Sequence, residues 1–150
     1  MRQINVDYLY LDLNTCRRCI ATDDTLKLAL KALAPVFEEL DYQVSVNTIH
    51  ISSQQLAKQY QFISSPTIRV NGVDICGELA ENNCEDCGDL CGENTDCRLF
   101  VYEGKKYEQP PVAMIVDGIL KALYAQPQPV LEIYSVPENL ERFFKEKSTS

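Results

Sequence analysis

The feature that most constrains the fold is an apolar run that leads into a C-x-x-C motif and then into a helical pattern. The run Ile4–Leu13 is rich in β-branched and aromatic residues and is apolar almost throughout, which predicts a strand that is buried on both faces. Cys16 and Cys19 follow, and apolar residues then recur in steps of three and four over Asp23–Leu40, which predicts a helix. A C-x-x-C motif between a strand and a helix is typical of a redox site.

Two starting points for this helix are open. The acidic pair that begins at Asp23 suits a helix start, because carboxylates cap free N–H groups and interact favourably with the helix dipole. A helix that begins there leaves the cysteines in a loop. A helix that begins at the motif places Cys16 among unpaired backbone N–H groups, and Arg17 and Arg18 add two neighbouring cations. Both effects favour Cys16 as the attacking thiolate, and the spacing lets Cys19 resolve the mixed disulfide.

Further along the chain, strands and helices alternate and a hairpin follows. A second strand is predicted over Tyr42–Ile51, and a serine then caps a short helix that ends near Tyr60. The pair Asn71-Gly72 is a strong hairpin signal between two short strands. A broad apolar helical face begins at Val112. Strands joined by helices and followed by an antiparallel hairpin indicate a mixed sheet of the α/β class.

Three of these stretches occur in an order that is typical of one superfamily. They are the strand, motif and helix around Cys16, the run Leu56–Thr67 with its Ser-Ser-Pro-Thr end, and the Asn71-Gly72 hairpin. In this order they resemble the thioredoxin-like superfamily, and most closely an uncharacterised branch with a Thr-Cys-x-Arg-Cys motif and a cysteine-rich insertion. The resemblance implies a thioredoxin-like mixed sheet flanked by helices, with the insertion before the last core helix. It also implies a cis peptide bond before Pro66, beside Cys16.

The resemblance further implies a thiol–disulfide oxidoreductase. In this function Cys16 attacks the substrate, Cys19 resolves the mixed disulfide, and Pro66 shapes the side on which the substrate binds. We expect the two sulfurs to be presented at the edge of the sheet, where a protein or small-molecule disulfide can reach them. Thiol–disulfide exchange of this kind needs no cofactor.

The chain is expected to form a single domain over residues 1–150, with an insertion at 76–98 and a C-terminal extension at 127–150. The insertion has a distinctive composition. Seven acidic residues lie between residues 76 and 97, where there is no Lys or Arg, so most of the formal net charge of −8 is local to this segment. The same segment holds five of the seven cysteines, namely Cys76, Cys84, Cys87, Cys91 and Cys97.

Several interpretations of these five cysteines stay open. The step from Cys84 to Cys87 is typical of a zinc knuckle, and Cys91, Cys97 and Cys76 supply further thiolates for zinc, another soft metal or an iron–sulfur cluster. Disulfides also suit the segment, because nearby carboxylates disfavour bare thiolates. Uncross-linked thiols in an acidic loop are the third interpretation, and exchange with the C-x-x-C pair as an internal redox relay is the fourth. The alternative function is therefore a metal-binding module built on a thioredoxin-like fold.

Charge and motif content argue against several other classes of protein. An acidic chain lacks the clustered cations that bind phosphates, so neither nucleic acid nor an anionic membrane is expected as a partner. The single histidine, His50, and the absence of a Gly-x-Ser-x-Gly motif leave hydrolase triads poorly supported. No signal peptide is recognised at the N-terminus, which favours a reducing cytoplasm.

Overall fold

The computed structural model describes residues 2–13, 16–83, 95–124 and 134–149. A four-stranded sheet with the order β2-β1-β3-β4 organises the chain. Strands β1 and β2 are parallel, whereas β3 is antiparallel to β1 and to β4. The sheet is therefore mixed, as the sequence predicts. The four strands are β1 (Arg2–Tyr10), β2 (Tyr42–His50), β3 (Thr67–Val70) and β4 (Val73–Asp74).

A second, three-stranded sheet follows with the order β5-β6-β7, and both of its pairings are antiparallel. Its strands are β5 (Ala80–Asn83), β6 (Asp96–Tyr102) and β7 (Lys105–Tyr107). The Glu103-Gly104 turn between Leu99–Tyr102 and Lys105–Tyr107 predicts a hairpin, which the later half of β6 and β7 form, but the sequence gives no sign of β5. Alanine, glutamate and asparagine are poor strand formers, so β5 exists through its pairing with β6 and not through its own propensity.

Four helices complete the described structure, and the first of them begins at the motif. They are α1 (Arg17–Glu39), α2 (Gln54–Tyr60), α3 (Val112–Tyr124) and α4 (Glu138–Thr149). The start of α1 at Arg17, with Cys16 as its N-cap, decides between the two starting points that the sequence leaves open. Helix α1 is continuous through Pro35. Over the described ranges, no helix is both long and apolar enough to span a bilayer.

Helices pack on both faces of the four-stranded sheet, but only the first face is buried along most of β1. Alternate residues of β1 point to opposite faces. Those on the first face pack against α1 and α3, in a core that contains Ile4, Val6, Tyr8, Leu26, Ala29, Leu33, Ile115 and Ile119. On the second face Gln3 and Asn5 are exposed, so the prediction that β1 is buried on both faces is wrong for its first half. The end of the strand packs against α2 and α4, in a core that contains Leu9, Leu11, Ala57, Phe62, Leu140 and Phe143. The fold is a mixed α/β sheet flanked by helices, an arrangement compatible with a thioredoxin-like fold.

The predicted C-terminal extension contributes to the second of these cores. Residues 125–133 lie outside the described ranges, and α4 follows them. Leu140 and Phe143 of α4 are buried in one cluster with Leu9 of β1 and with Leu11, which follows the strand. Because burying a large apolar side chain contributes about 1.5–3 kcal/mol, α4 is an integral part of the fold.

A glycine permits the close approach between the end of the first sheet and β6. Gly77 has a φ of +83°, and a Cβ added there would lie 2.5 Å from the backbone oxygen of Val101. Only glycine combines this backbone conformation with the required clearance. The segment that follows Cys76 is thus held directly against β6, which carries Cys97.

Candidate active site

The C-x-x-C pair lies at the start of α1, which is the first helix after β1. Cys16 is the N-cap of α1, and its Sγ accepts the backbone N–H of Cys19 at 3.5 Å. A thiolate at this position interacts favourably with the positive end of the helix dipole and with a backbone donor. The hydroxyl of Tyr8 donates a hydrogen bond to the carbonyl of Cys19, which ties this first turn to the central strand.

The loop that contains Pro66 lies beside the same pair. The Ser65–Pro66 bond is cis, so the expectation of a cis bond at this position is confirmed. The Ser65 hydroxyl lies 3.4 Å from the Sγ of Cys19 and accepts the backbone N–H of Leu11 at 2.9 Å. Ser65 therefore links the end of β1, the second cysteine and Pro66, and the sequence gives no separate signal for this role.

A third cysteine completes the cluster. Cys97 of β6 packs with Cys16 and Cys19 in a small buried group that Tyr10 and Leu13 line. The sequence assigns Cys97 to a tentative metal-ligand set, and it also leaves open an exchange between the insertion and the motif. In the structure Cys97 packs against the motif, which is the proximity that such an exchange needs.

The sulfurs lie beside the end of β1, as expected, but they are enclosed, so the expectation that they are accessible is wrong. Cys16, Cys19 and Cys97 each have 0% relative exposure. The reason is that β6 lies over the motif, where the backbone N–H of Arg98 donates to the carbonyl of Ser65 at 2.7 Å. Segment 76–98 is therefore partly built into the site and is not simply a peripheral insertion.

Arg18, inside the motif, forms hydrogen bonds that join the start of α1 to β5, to β6 and to the residue that follows β7. Its guanidinium donates to the backbone carbonyls of Cys97 at 3.1 Å and of Arg98 at 3.3 Å. It also donates to the side chains of Asn82 at 2.6 Å and of Glu108 at 3.0 Å. The sequence treats Arg18 as a cation that favours a thiolate, and the structure adds a second role in which it positions Cys97.

The surroundings of Cys19 favour its protonated form. A hydrogen bond with Cys16 raises the pKa of Cys19 well above its ordinary value, and burial adds to this effect. The Ser65 hydroxyl opposes the rise, because it stabilises the charged form of Cys19. Cys19 therefore keeps its proton.

Cys76 lies in a different environment from the other three described cysteines. It is packed in the main core, where its Sγ accepts the backbone N–H of Ile68 at 3.2 Å. Burial raises the pKa of Cys76 to about 12. A neutral, hydrogen-bonded thiol in a core has a structural role and is chemically inert at neutral pH.

The tentative metal-ligand set is divided between different places in the chain. Cys76 and Cys97 belong to separate buried clusters, and Cys84, Cys87 and Cys91 lie outside the described ranges. Among the residues that the structure does describe, no group of three or more His, Cys, Asp or Glu is arranged to hold a metal ion. A zinc site formed by all five cysteines stays a prediction.

A buried arginine anchors β6 from its other side. The Arg98 side chain is 1% exposed and pairs with Asp74 at 2.7 Å. It also donates to the Thr67 hydroxyl at 3.0 Å and to the Gly77 carbonyl at 3.1 Å. The sequence does not single out Arg98, because a lone arginine in a short strand is more often exposed than buried.

Side chains of α4 and of the Pro66 loop form hydrogen bonds with the first residue of β6 and with β5. The Asn139 side chain accepts the backbone N–H of Asp96 at 2.7 Å and donates to the carbonyl of the same residue at 2.9 Å. The Ser64 hydroxyl donates to Glu81 at 2.7 Å. The hairpin that carries Cys97 is therefore held by the C-terminal helix as well as by the motif.

Comparison with known protein families gives one match. A family profile described as a domain of unknown function, DUF2703, matches residues 4–119. The matched range includes the C-x-x-C pair, Pro66 and Cys97, and it ends inside α3. No curated protein and no solved structure gives a significant match to the chain.

Proposed function

The chain belongs to the DUF2703 family, and we propose that it is a thiol–disulfide oxidoreductase of the thioredoxin-like superfamily. The observation that carries this function is the position of Cys16 at the N-cap of α1, with Cys19 one turn into the helix and Ser65 against it. Cys16 is the nucleophile, Cys19 is the resolving cysteine, and Pro66 shapes the surface that meets the substrate.

The proposed reaction passes two electrons from the pair to a disulfide. The Cys16 thiolate attacks one sulfur of a protein or small-molecule disulfide, and the other sulfur leaves as a thiolate that takes up a proton. Cys19 then loses its proton and attacks the Cys16 sulfur, which releases the second substrate thiol. The chain finishes with a Cys16–Cys19 disulfide, and a dithiol donor reduces it again without any cofactor.

Access to the pair requires movement of the β5–β6 hairpin, because no sulfur of the cluster is exposed to solvent. The contacts to be broken include the Arg18 bonds to the backbone of β6, the bond from Arg98 N–H to the Ser65 carbonyl and the bonds from Asn139 to Asp96. Local openings of this size are common in folded proteins and need less free energy than global unfolding. We propose a reducing compartment such as the cytoplasm, where the thiol form predominates.

The metal-binding alternative has no observation in its favour within the described part of the chain. Three of its five ligands lie outside the described ranges, and the other two belong to different clusters. An oxidoreductase is therefore the one function proposed.

Catalysed reduction of a protein disulfide tests this function. The full chain should accelerate the reduction of insulin by dithiothreitol, with an initial rate proportional to the concentration of the chain. A variant with serine at positions 84, 87 and 91 is the matched control, and it should retain the acceleration because these cysteines are outside the motif. A rate equal to that of dithiothreitol alone would contradict the function.

A further inference from the structure

Cys97 is the third cysteine of the buried cluster that contains the C-x-x-C pair. It lies in one buried cluster with Cys16 and Cys19, and all three residues have 0% relative exposure. Side chains in one such cluster pack against one another, and disulfide exchange requires this proximity. By contrast, the buried thiol of Cys76 is packed among core residues and hydrogen-bonded to Ile68.

The peptide group between Cys97 and Arg98 is hydrogen-bonded to the motif on one side and to the Pro66 loop on the other. The carbonyl of Cys97 accepts a hydrogen bond from Arg18, which is part of the motif. The next backbone N–H, of Arg98, binds the carbonyl of Ser65, whose hydroxyl touches Cys19. Cys97 also sits opposite Asn82 in the β5–β6 ladder. These contacts hold the third sulfur against the pair from two directions.

We propose that Cys97 is a third redox cysteine, which exchanges disulfides with the Cys16–Cys19 pair and so regulates it, an inference that rests on the proposed function. In the oxidised chain, the Cys97 thiol loses its proton and its sulfur attacks one sulfur of the Cys16–Cys19 disulfide. That bond breaks, and the displaced cysteine takes up a proton. One S–S bond is broken and one is formed, so no further oxidant is needed.

This exchange gives the oxidised chain two forms. In one form the pair is linked internally and β6 is held by non-covalent contacts alone. In the other form a disulfide joins β6 covalently to the motif, so that the hairpin cannot open and a new substrate cannot reach the pair. The strand that covers the site therefore acts as a redox-controlled cover.

Disulfide mapping of the full chain tests this exchange. The reduced protein is equilibrated in glutathione buffers of increasing oxidising strength, quenched with acid, alkylated, digested and analysed by mass spectrometry. We expect peptides that join Cys97 to Cys16 or Cys19, together with peptides that join Cys16 to Cys19. The same Cys97-linked peptides should persist when Cys84, Cys87 and Cys91 are replaced by serine, and Cys76 should stay alkylated throughout as the internal control.

The possible outcomes separate this inference from the proposed function. If Cys16 and Cys19 become linked while Cys97 stays alkylated in every buffer, Cys97 is not a redox cysteine and the oxidoreductase still stands. If Cys97 is joined only to Cys84, Cys87 or Cys91, the exchange is likewise overturned. The insulin assay is independent of this mapping, because it measures turnover and not the linkage of Cys97.

Discussion

Replacement of Cys16 by serine should reduce the chain's acceleration of insulin reduction to the rate of dithiothreitol alone. A serine oxygen cannot form the mixed disulfide from which both electrons are transferred, so the catalysed path is lost and not merely slowed. Removal of a nucleophile commonly lowers the rate of a catalysed reaction by about a thousandfold or more. The measurement is the initial rate of insulin reduction at equal concentrations of the two chains.

Serine is also a suitable choice on structural grounds. Cys16 is the N-cap of α1, and serine is among the preferred N-cap residues, so Cys16→Ser should keep the helix start intact. A far-ultraviolet circular dichroism spectrum equal to that of the unmodified chain is the control for folding. If folded Cys16→Ser kept more than about a tenth of the catalysed rate, a loss far below the scale of nucleophile removal, Cys16 would not be the nucleophile.

Replacement of Arg98 by methionine should lower the free energy of unfolding by about 2–3 kcal/mol, because it removes hydrogen bonds to the half-buried Asp74 carboxylate and to the buried Thr67 hydroxyl. The guanidinium is 1% exposed and is paired with Asp74. Methionine fills a similar volume, but it leaves the Thr67 hydroxyl and the Gly77 carbonyl without the donor that they share. Urea unfolding followed by circular dichroism measures the change.

Arg142 provides the matched control for this substitution. It is 39% exposed, and its ion pairs with Asp96 and Glu138 are long, at 3.8 and 3.6 Å. Exposed pairs contribute little, so Arg142→Met should cost less than about 1 kcal/mol. Equal losses of stability in the two variants would show that Arg98 is not the anchor of β6.

The position of the candidate site could be predicted from the sequence because its signals are local. The strand, the C-x-x-C spacing and the helical period around Cys16 all lie within one stretch of chain, and the turn signal at Asn71-Gly72 is equally local. The start of α1 was ambiguous for a physical reason. Asp23 is a good cap by residue type, but Cys16 takes the cap position, which local propensity alone does not predict.

The burial of the site could not be predicted, because it depends on contacts between segments that are distant in sequence. The covering strand β6 is held by Arg18 from the motif and by Ser65 from the Pro66 loop. Its partner β5 has a composition that disfavours strands. A polar, acidic segment predicts a loop, and only tertiary pairing turns its two ends into the strands that bring Cys97 to the pair.

Trapping of the mixed disulfide tests the central claim, that Cys16 is a redox nucleophile, most directly. The chain with serine at positions 19 and 97 lacks both neighbouring thiols that could release a partner from Cys16. After incubation with glutathione disulfide, acid quenching and peptide mass analysis, we predict that glutathione accumulates on Cys16. An unmodified Cys16 in the folded variant, with glutathione only on Cys84, Cys87 or Cys91, would contradict the claim.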